Sequence, residues 1–202
     1  MSRLRALLAL SLVAASMLAA AADPTPVGLK AGAFEPPQAA AEFPDGLRAS
    51  DGGELKLAHY RGKVVLLVFG FTHCPAVCPV TLATLAEARR ELGADARSLQ
   101  VVYVTVDPQR DDVASIRKYL AGFDASFVGG TGQPLALETV RQRYGVTAQK
   151  VPATGGGGAD YGMSHSTSIY LIDREGRLRA LMPFGHSAAD FAHDVRQLLA
   201  LK

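Results

Sequence analysis

Two apolar runs, residues 64–69 and 99–106, constrain this chain more than any other feature. A run of that kind leaves no polar face, so each reads as a central strand covered on both sides. Between them, residues 79–92 place Leu82, Leu85, Ala86, Ala88 and Leu92 at helical spacing. Strand, helix, strand in that order is a crossover unit, whose strands run parallel with the helix packed over them. Residues 111–123 and 133–144 read as further helices, and residues 168–173 as a third strand that Glu175-Gly176 turns into residues 178–184. A final amphipathic helix over residues 187–201 buries Phe191, Val195 and Leu198 at i, i+4 and i+7, with Ser187 at its N-cap. Ahead of the first run, residues 47–55 read as two short strands around Asp51-Gly52-Gly53. Strands alternating with helices and ending in a hairpin give an α/β sandwich.

The remaining segments are organised around this domain. Arg3 and Arg5 precede an apolar run over residues 6–22 that ends in three alanines, the pattern of a secretory leader or an uncleaved membrane anchor. No cysteine lies near the cut, which excludes an acylated lipoprotein. Residues 23–44 carry Pro24, Pro26, Pro36, Pro37 and Pro44 among alanines and glycines and read as an extended spacer. The domain then occupies residues 45–202. Later in it, Gly155-Gly156-Gly157-Gly158 predicts a flexible loop. With 21 basic against 19 acidic residues, and no basic run longer than a pair, nothing marks a nucleic-acid surface. Removing the leader's two arginines takes the net charge from +2 to 0, which leaves nothing to hold the mature domain on an anionic membrane.

The chain has two cysteines, too few for a disulfide scaffold, and both lie in Gly70-Phe71-Thr72-His73-Cys74-Pro75-Ala76-Val77-Cys78-Pro79. This segment joins the first buried strand to its helix, where a parallel sheet presents ligands. If helical turns begin near Pro75, Cys74 sits at the helix N-terminus and Cys78 one turn later, with both sulfurs facing the same way. The positive helix end favours the Cys74 thiolate, the form that binds metal or attacks a disulfide. Structural zinc and iron–sulfur clusters ask for more ligands than the pair supplies, and covalent haem asks for Cys-x-x-Cys-His. Two soft sulfurs with one imidazole suit copper.

Five histidines compete for that third place. His73 neighbours Cys74, but adjacent residues at a helix entrance usually point apart. His193 falls on the polar face of the last helix and reads as solvated, while His59 and His186 sit in surface turns. His165, in Tyr161-Gly162-Met163-Ser164-His165-Ser166-Thr167, immediately precedes the third strand and can project at the sheet end beside Cys74. The residues alone leave two readings of His165, a ligand or a hydrogen-bonded structural side chain.

Three motifs together resemble the Sco/SenC proteins: Phe71-Thr72-His73-Cys74-Pro75-Ala76-Val77-Cys78-Pro79, Val104-Thr105-Val106-Asp107-Pro108-Gln109-Arg110-Asp111, and His165-Ser166 ahead of Tyr170-Leu171-Ile172-Asp173-Arg174-Glu175-Gly176. The resemblance covers residues 43–199. It implies a thioredoxin-like fold, a central mixed sheet flanked by helices. It implies a periplasmic protein, or one anchored in the inner membrane facing the periplasm. It also implies a copper ion held by Cys74, Cys78 and His165. The family role is copper delivery to the dinuclear copper centre of cytochrome c oxidase, which makes the copper-site subunit, or another exported copper protein, the expected partner.

Two positions depart from the family pattern. Ala76 stands where an acidic residue is usual, and Ser164 where Asp usually precedes the histidine. Fewer nearby carboxylates repel the thiolates less, and a hydrogen bond that orients His165 is open to loss. Met163 offers a thioether two residues from His165, although packing accounts for it as well. Two functions therefore stand side by side: a metallochaperone, and a periplasmic thiol–disulfide reductase in which Cys74 and Cys78 form the redox pair. Reductases of the thioredoxin type favour Cys-x-x-Cys, so the extra residue and His165 favour metal. A thiol peroxidase fits less well, because the peroxiredoxin pattern places its Thr three residues before the cysteine rather than two.

Overall fold

The computed structural model describes residues 28–152 and 161–201. In chain order it contains β1 (Gly32–Ala39), β2 (Leu47–Ala49), β3 (Val64–Gly70), α1 (Val77–Leu92), β4 (Leu99–Thr105), α2 (Val113–Ala121), β5 (Val128–Gly132) and α3 (Pro134–Arg143). There follow β6 (Ala148–Val151), β7 (Gly162–His165), β8 (Ile169–Ile172), β9 (Arg177–Met182) and α4 (Ala188–Leu199). Seven strands form one sheet in the order β1-β9-β8-β3-β4-β5-β2, and β6 pairs with β7 in a separate two-stranded ladder.

The two apolar runs become β3 and β4, parallel and in register from Val64 opposite Leu99 to Gly70 opposite Thr105, with every residue of both buried. Alternate side chains feed two cores. Leu66 and Val68 pack with Leu82 and Leu85 of α1, Ile116 of α2 and Phe191, Val195 and Leu198 of α4. Val65, Leu67 and Phe69 pack on the other face with Leu137 and Val140 of α3. β5 continues the sheet in parallel, while β8, β9, β1 and β2 join antiparallel to their neighbours. This mixed sheet flanked by helices is the thioredoxin-like fold. Ser187 caps α4 as expected, its hydroxyl accepting from Asp190 N at 3.2 Å while Asp190 Oδ2 accepts from Ser187 N at 3.0 Å.

Several expectations change. Part of the proline-rich stretch read as a spacer is strand β1, an edge strand on β9 whose register shifts between Ala33 and Gln38, which suits prolines that cannot donate to a ladder. Helix α1 begins at Val77 rather than near Pro75, so Cys78 is its second residue and Cys74 lies in the preceding turn. Three strands, β5, β6 and β7, had no clear periodic signal. In β5, Gly129 and Gly130 leave room that Ile116 and Leu55 fill, so the strand has no alternating side chains to read. The leader, residues 1–22, and the run Gly155–Gly158 lie outside the described residues. Among the described residues no helix is long and apolar enough to cross a membrane.

Candidate metal centre

Strand β3 delivers the chain to the site at Gly70, and a tight turn follows in which Cys74 N donates to Phe71 O at 3.3 Å. Gly70 must be small. A Cβ there would stand 2.5 Å from the Tyr103 hydroxyl and 2.8 Å from Cys78 Sγ, inside their van der Waals surfaces. Cys78 is thereby buried under the sheet end at 2% exposure, while Cys74 above it is partly open to solvent. Cys78 N, one of the free N–H groups of the first helical turn, points at Cys74 Sγ from 3.4 Å. The helix end therefore acts on Cys74, as expected, but from below it rather than from a position inside the helix.

His165 reaches the same place from another element. Strand β8 runs antiparallel to β3, with Leu67 opposite Tyr170, so its first residues lie beside the C-terminal end of β3. His165, at the end of β7 just ahead of β8, is brought to the sulfurs by that reversal. Its Nε2 is 3.7 Å from Cys78 Sγ. Its Nδ1 lies 2.7 Å from the Ser166 carbonyl oxygen, which can only accept, so Nδ1 carries the hydrogen. In the neutral ring the Nε2 lone pair then faces the thiols, the tautomer a metal ligand requires. Because the orienting acceptor is a backbone carbonyl, the ring's orientation does not depend on the side chain at position 164. The ring also stands edge-on to Phe71, centroids 5.8 Å apart.

The two sulfurs are not equivalent. The Cys78 thiol donates to Cys74, and this bond, more than any other contact, lowers the Cys74 pKa to about 3; His165 and the N–H groups of Cys78 and Ala76 add to it, against partial burial. Cys78 is pushed strongly upward, first by that same bond and then by burial. These opposite shifts favour one thiolate, on the partly exposed Cys74 sulfur, and one buried thiol, on Cys78. Tyr103, buried in the same gap, is kept neutral by burial and by the adjacent Cys78 sulfur, toward which its hydroxyl is directed.

A buried carboxyl pins the turn. Asp111, fully buried, accepts from Thr72 N at 3.0 Å and Thr72 Oγ1 at 2.6 Å, and from Thr105 Oγ1 at 2.6 Å. Since the single hydroxyl hydrogen of Thr72 goes to Asp111, His73 Nδ1, 3.0 Å from Thr72 Oγ1, must donate to it. His73 is held on this network, away from a ligand role. His193 sits beside Asp194 Oδ1 at 2.9 Å and His186 beside Asp190 at 3.6 Å, so both are paired on α4; His59 lies in a helical turn at residues 57–60. Of the five histidines, His165 alone faces the cysteines. Asp111 was visible in the sequence only as part of a motif. Its place just past the C-terminal end of β4 was the available clue to a role at the site.

Among the described residues, no group of three or more His, Cys, Asp or Glu side chains is already arranged to hold a metal ion. Cys74, Cys78 and His165 are gathered rather than closed. A family model described as SCO1/SenC matches residues 36–200. The chain belongs to the SCO1/SenC family. The matched stretch contains both cysteines and His165, and it starts inside β1, in keeping with that strand's place in the domain. A mitochondrial SCO2 homologue from Mus musculus is 35% identical over 145 residues, 71% of this chain and 56% of the relative, so the chain spans little more than half of that protein. Bradyrhizobium japonicum ScoI, solved with copper bound, superposes with a TM-score of 0.71 at 35% identity, covering 80% of this chain and 99% of that one. Copper-bound yeast Sco1 superposes with a TM-score of 0.69 at 28% identity, covering 80% and 88%.

Proposed function

We propose that this SCO1/SenC protein takes up copper through Cys74 Sγ, Cys78 Sγ and His165 Nε2 and passes it to the copper-site subunit of cytochrome c oxidase or to another exported copper protein. The observation that carries the reading is the convergence of two sulfurs and one imidazole lone pair, with the Nδ1 of that imidazole held by Ser166 O. Two thiolates and a neutral imidazole suit copper, and a three-ligand site leaves an open side for a recipient's ligand. Loading displaces the Cys78 proton, so uptake strengthens as pH rises. Cys74, the more exposed sulfur, is the ligand a recipient meets first. The copper-bound state of the Bradyrhizobium and yeast relatives supports the assignment. The leader-like residues 1–22 support export to the periplasm or retention at the inner membrane.

A second reading rests on the inequality of the sulfurs. A partly exposed thiolate above a buried thiol is also the arrangement of a disulfide reductase. Cys74 would attack a partner disulfide and release one partner thiolate. Cys78 would then lose its proton to that thiolate, attack Cys74 and free the second partner sulfur, leaving Cys74–Cys78 oxidised. Gene deletion separates the two readings. On the copper reading, deletion lowers the copper content of the oxidase, and a His165→Ala gene fails to restore it while its product retains dithiol exchange. Normal oxidase copper with oxidised thiols accumulating in an exported partner would favour the reductase.

A further inference from the structure

Arg110 touches both halves of the site. On the cysteine side its guanidinium carbon lies 5.7 Å from the ring centroid of Phe71, the residue that opens the cysteine turn and packs edge-on against His165. On the histidine side it lies 3.9 Å from the ring centroid of Tyr161, and its Nη1 donates to Tyr161 O at 3.1 Å. Tyr161 directly precedes β7 and is four residues before His165. Asp107, 2% exposed, closes the arrangement, accepting from Arg110 Nε on one carboxyl oxygen and from the Tyr161 hydroxyl at 2.8 Å on the other.

The fold gives this contact something to do. Among the described residues, β7 shares its ladder with β6 and not with the main sheet, so the pairing of β8 with β3 brings His165 to the sheet end while side-chain contacts set how far β7 stands from Cys78. Arg110 belongs to the loop that leaves β4, the strand paired with β3, and is thus tied to the rigid centre. A planar guanidinium can lie against a ring and donate from its edge at once, which an ammonium cannot.

We propose that Arg110 is a positioning residue that holds the His165 strand at its working distance from the cysteine turn. Its meaning for copper rests on the function proposed above; the geometric role does not.

Arg110→Ala and Arg110→Lys test it. In metal-free protein, amide exchange over residues 162–165 should accelerate about tenfold or more in both variants while β3 and β4 keep wild-type protection. Affinity for cuprous ion should fall about 10- to 100-fold with stoichiometry unchanged, the usual loss when a partner that orients a ligand is removed. In a His165→Ala background, Arg110→Ala should cost nothing further, because the two changes break one linkage. Unchanged exchange over residues 162–165, equal acceleration in β3 and β4, or an affinity loss that persists without His165 would each overturn the proposal. Should His165→Ala bind copper as the wild type does, the copper reading fails, and the exchange measurement alone decides the role of Arg110.

Discussion

The turn that carries Cys74 grows out of β3, whose seven residues are all buried and which has a strand on either side, and it is pinned by two hydrogen bonds from Thr72 to Asp111, itself tied to β4 by a third from Thr105. His165 ends a four-residue strand of partly exposed residues that pairs, among the described residues, with β6 alone. The cysteine half inherits its geometry from the core, while the histidine half depends on a few contacts at the edge. On the proposed copper reading this division suits a protein that must release what it binds. Two ligands hold a fixed place, and the third sits on an element whose opening requires little of the fold to move.

The largest effect expected from this contrast is in the pH profile of Cys74 alkylation. An ordinary thiol loses about tenfold in thiolate for each pH unit below its pKa. A Cys74 pKa lowered to about 3 keeps the thiolate present above that value and loses it only as pH falls through it. The alkylation rate should therefore vary less than about twofold between pH 5 and 8, where an ordinary thiol changes by hundreds-fold. Since the first donor to Cys74 is Cys78, His165→Ala should leave the profile flat. A profile that then climbs steeply would show that the histidine half, not the cysteine half, sets the thiolate.

Stability should divide the same way. Asp111→Ala strands the Thr72 N–H and hydroxyl and the buried Thr105 hydroxyl, and chemical denaturation should show a loss of about 3 kcal/mol. Gly70→Ala forces a methyl against the Tyr103 hydroxyl and Cys78 Sγ and should cost about 2 kcal/mol, with Cys78 displaced. Met163→Ala, on partly exposed β7, should cost under about 1 kcal/mol. Ser164→Ala should change stability by less than about 0.5 kcal/mol and leave the His165 Nδ1 hydrogen bond in place, because the acceptor is the Ser166 carbonyl. A Met163 loss equal to that at Asp111 would erase the contrast between the halves.

What the sequence made legible follows the same line. β3, α1 and β4 were readable because burial on both faces and helical periodicity are local patterns. Cys74 and Cys78 were readable because their strand-to-helix junction is also local. The strand pairing that carries His165 to the cysteines joins residues about a hundred positions apart, so the residues alone left it open between ligand and structural side chain; the resemblance of the motifs selected it. β1 was hidden by its prolines, which mark an edge strand as readily as a linker, and β5 by glycines that neighbouring side chains require. The start of α1 was misplaced by two residues, because Pro75 is as compatible with the turn as with a first helical position. Asp111 and Arg110 had no pattern of their own. Their roles arise from what β3 and β7 place next to them.

The most direct measurement of the central claim is competition for cuprous ion against a chromophoric chelator, made on the fully reduced protein and on single variants. Wild type and His193→Ala should bind one copper ion per chain with the same affinity. Cys74→Ser, Cys78→Ser and His165→Ala should each lose tight binding, and prior oxidation of the cysteine pair should abolish it. Wild-type affinity and stoichiometry in His165→Ala would contradict a site built from both halves.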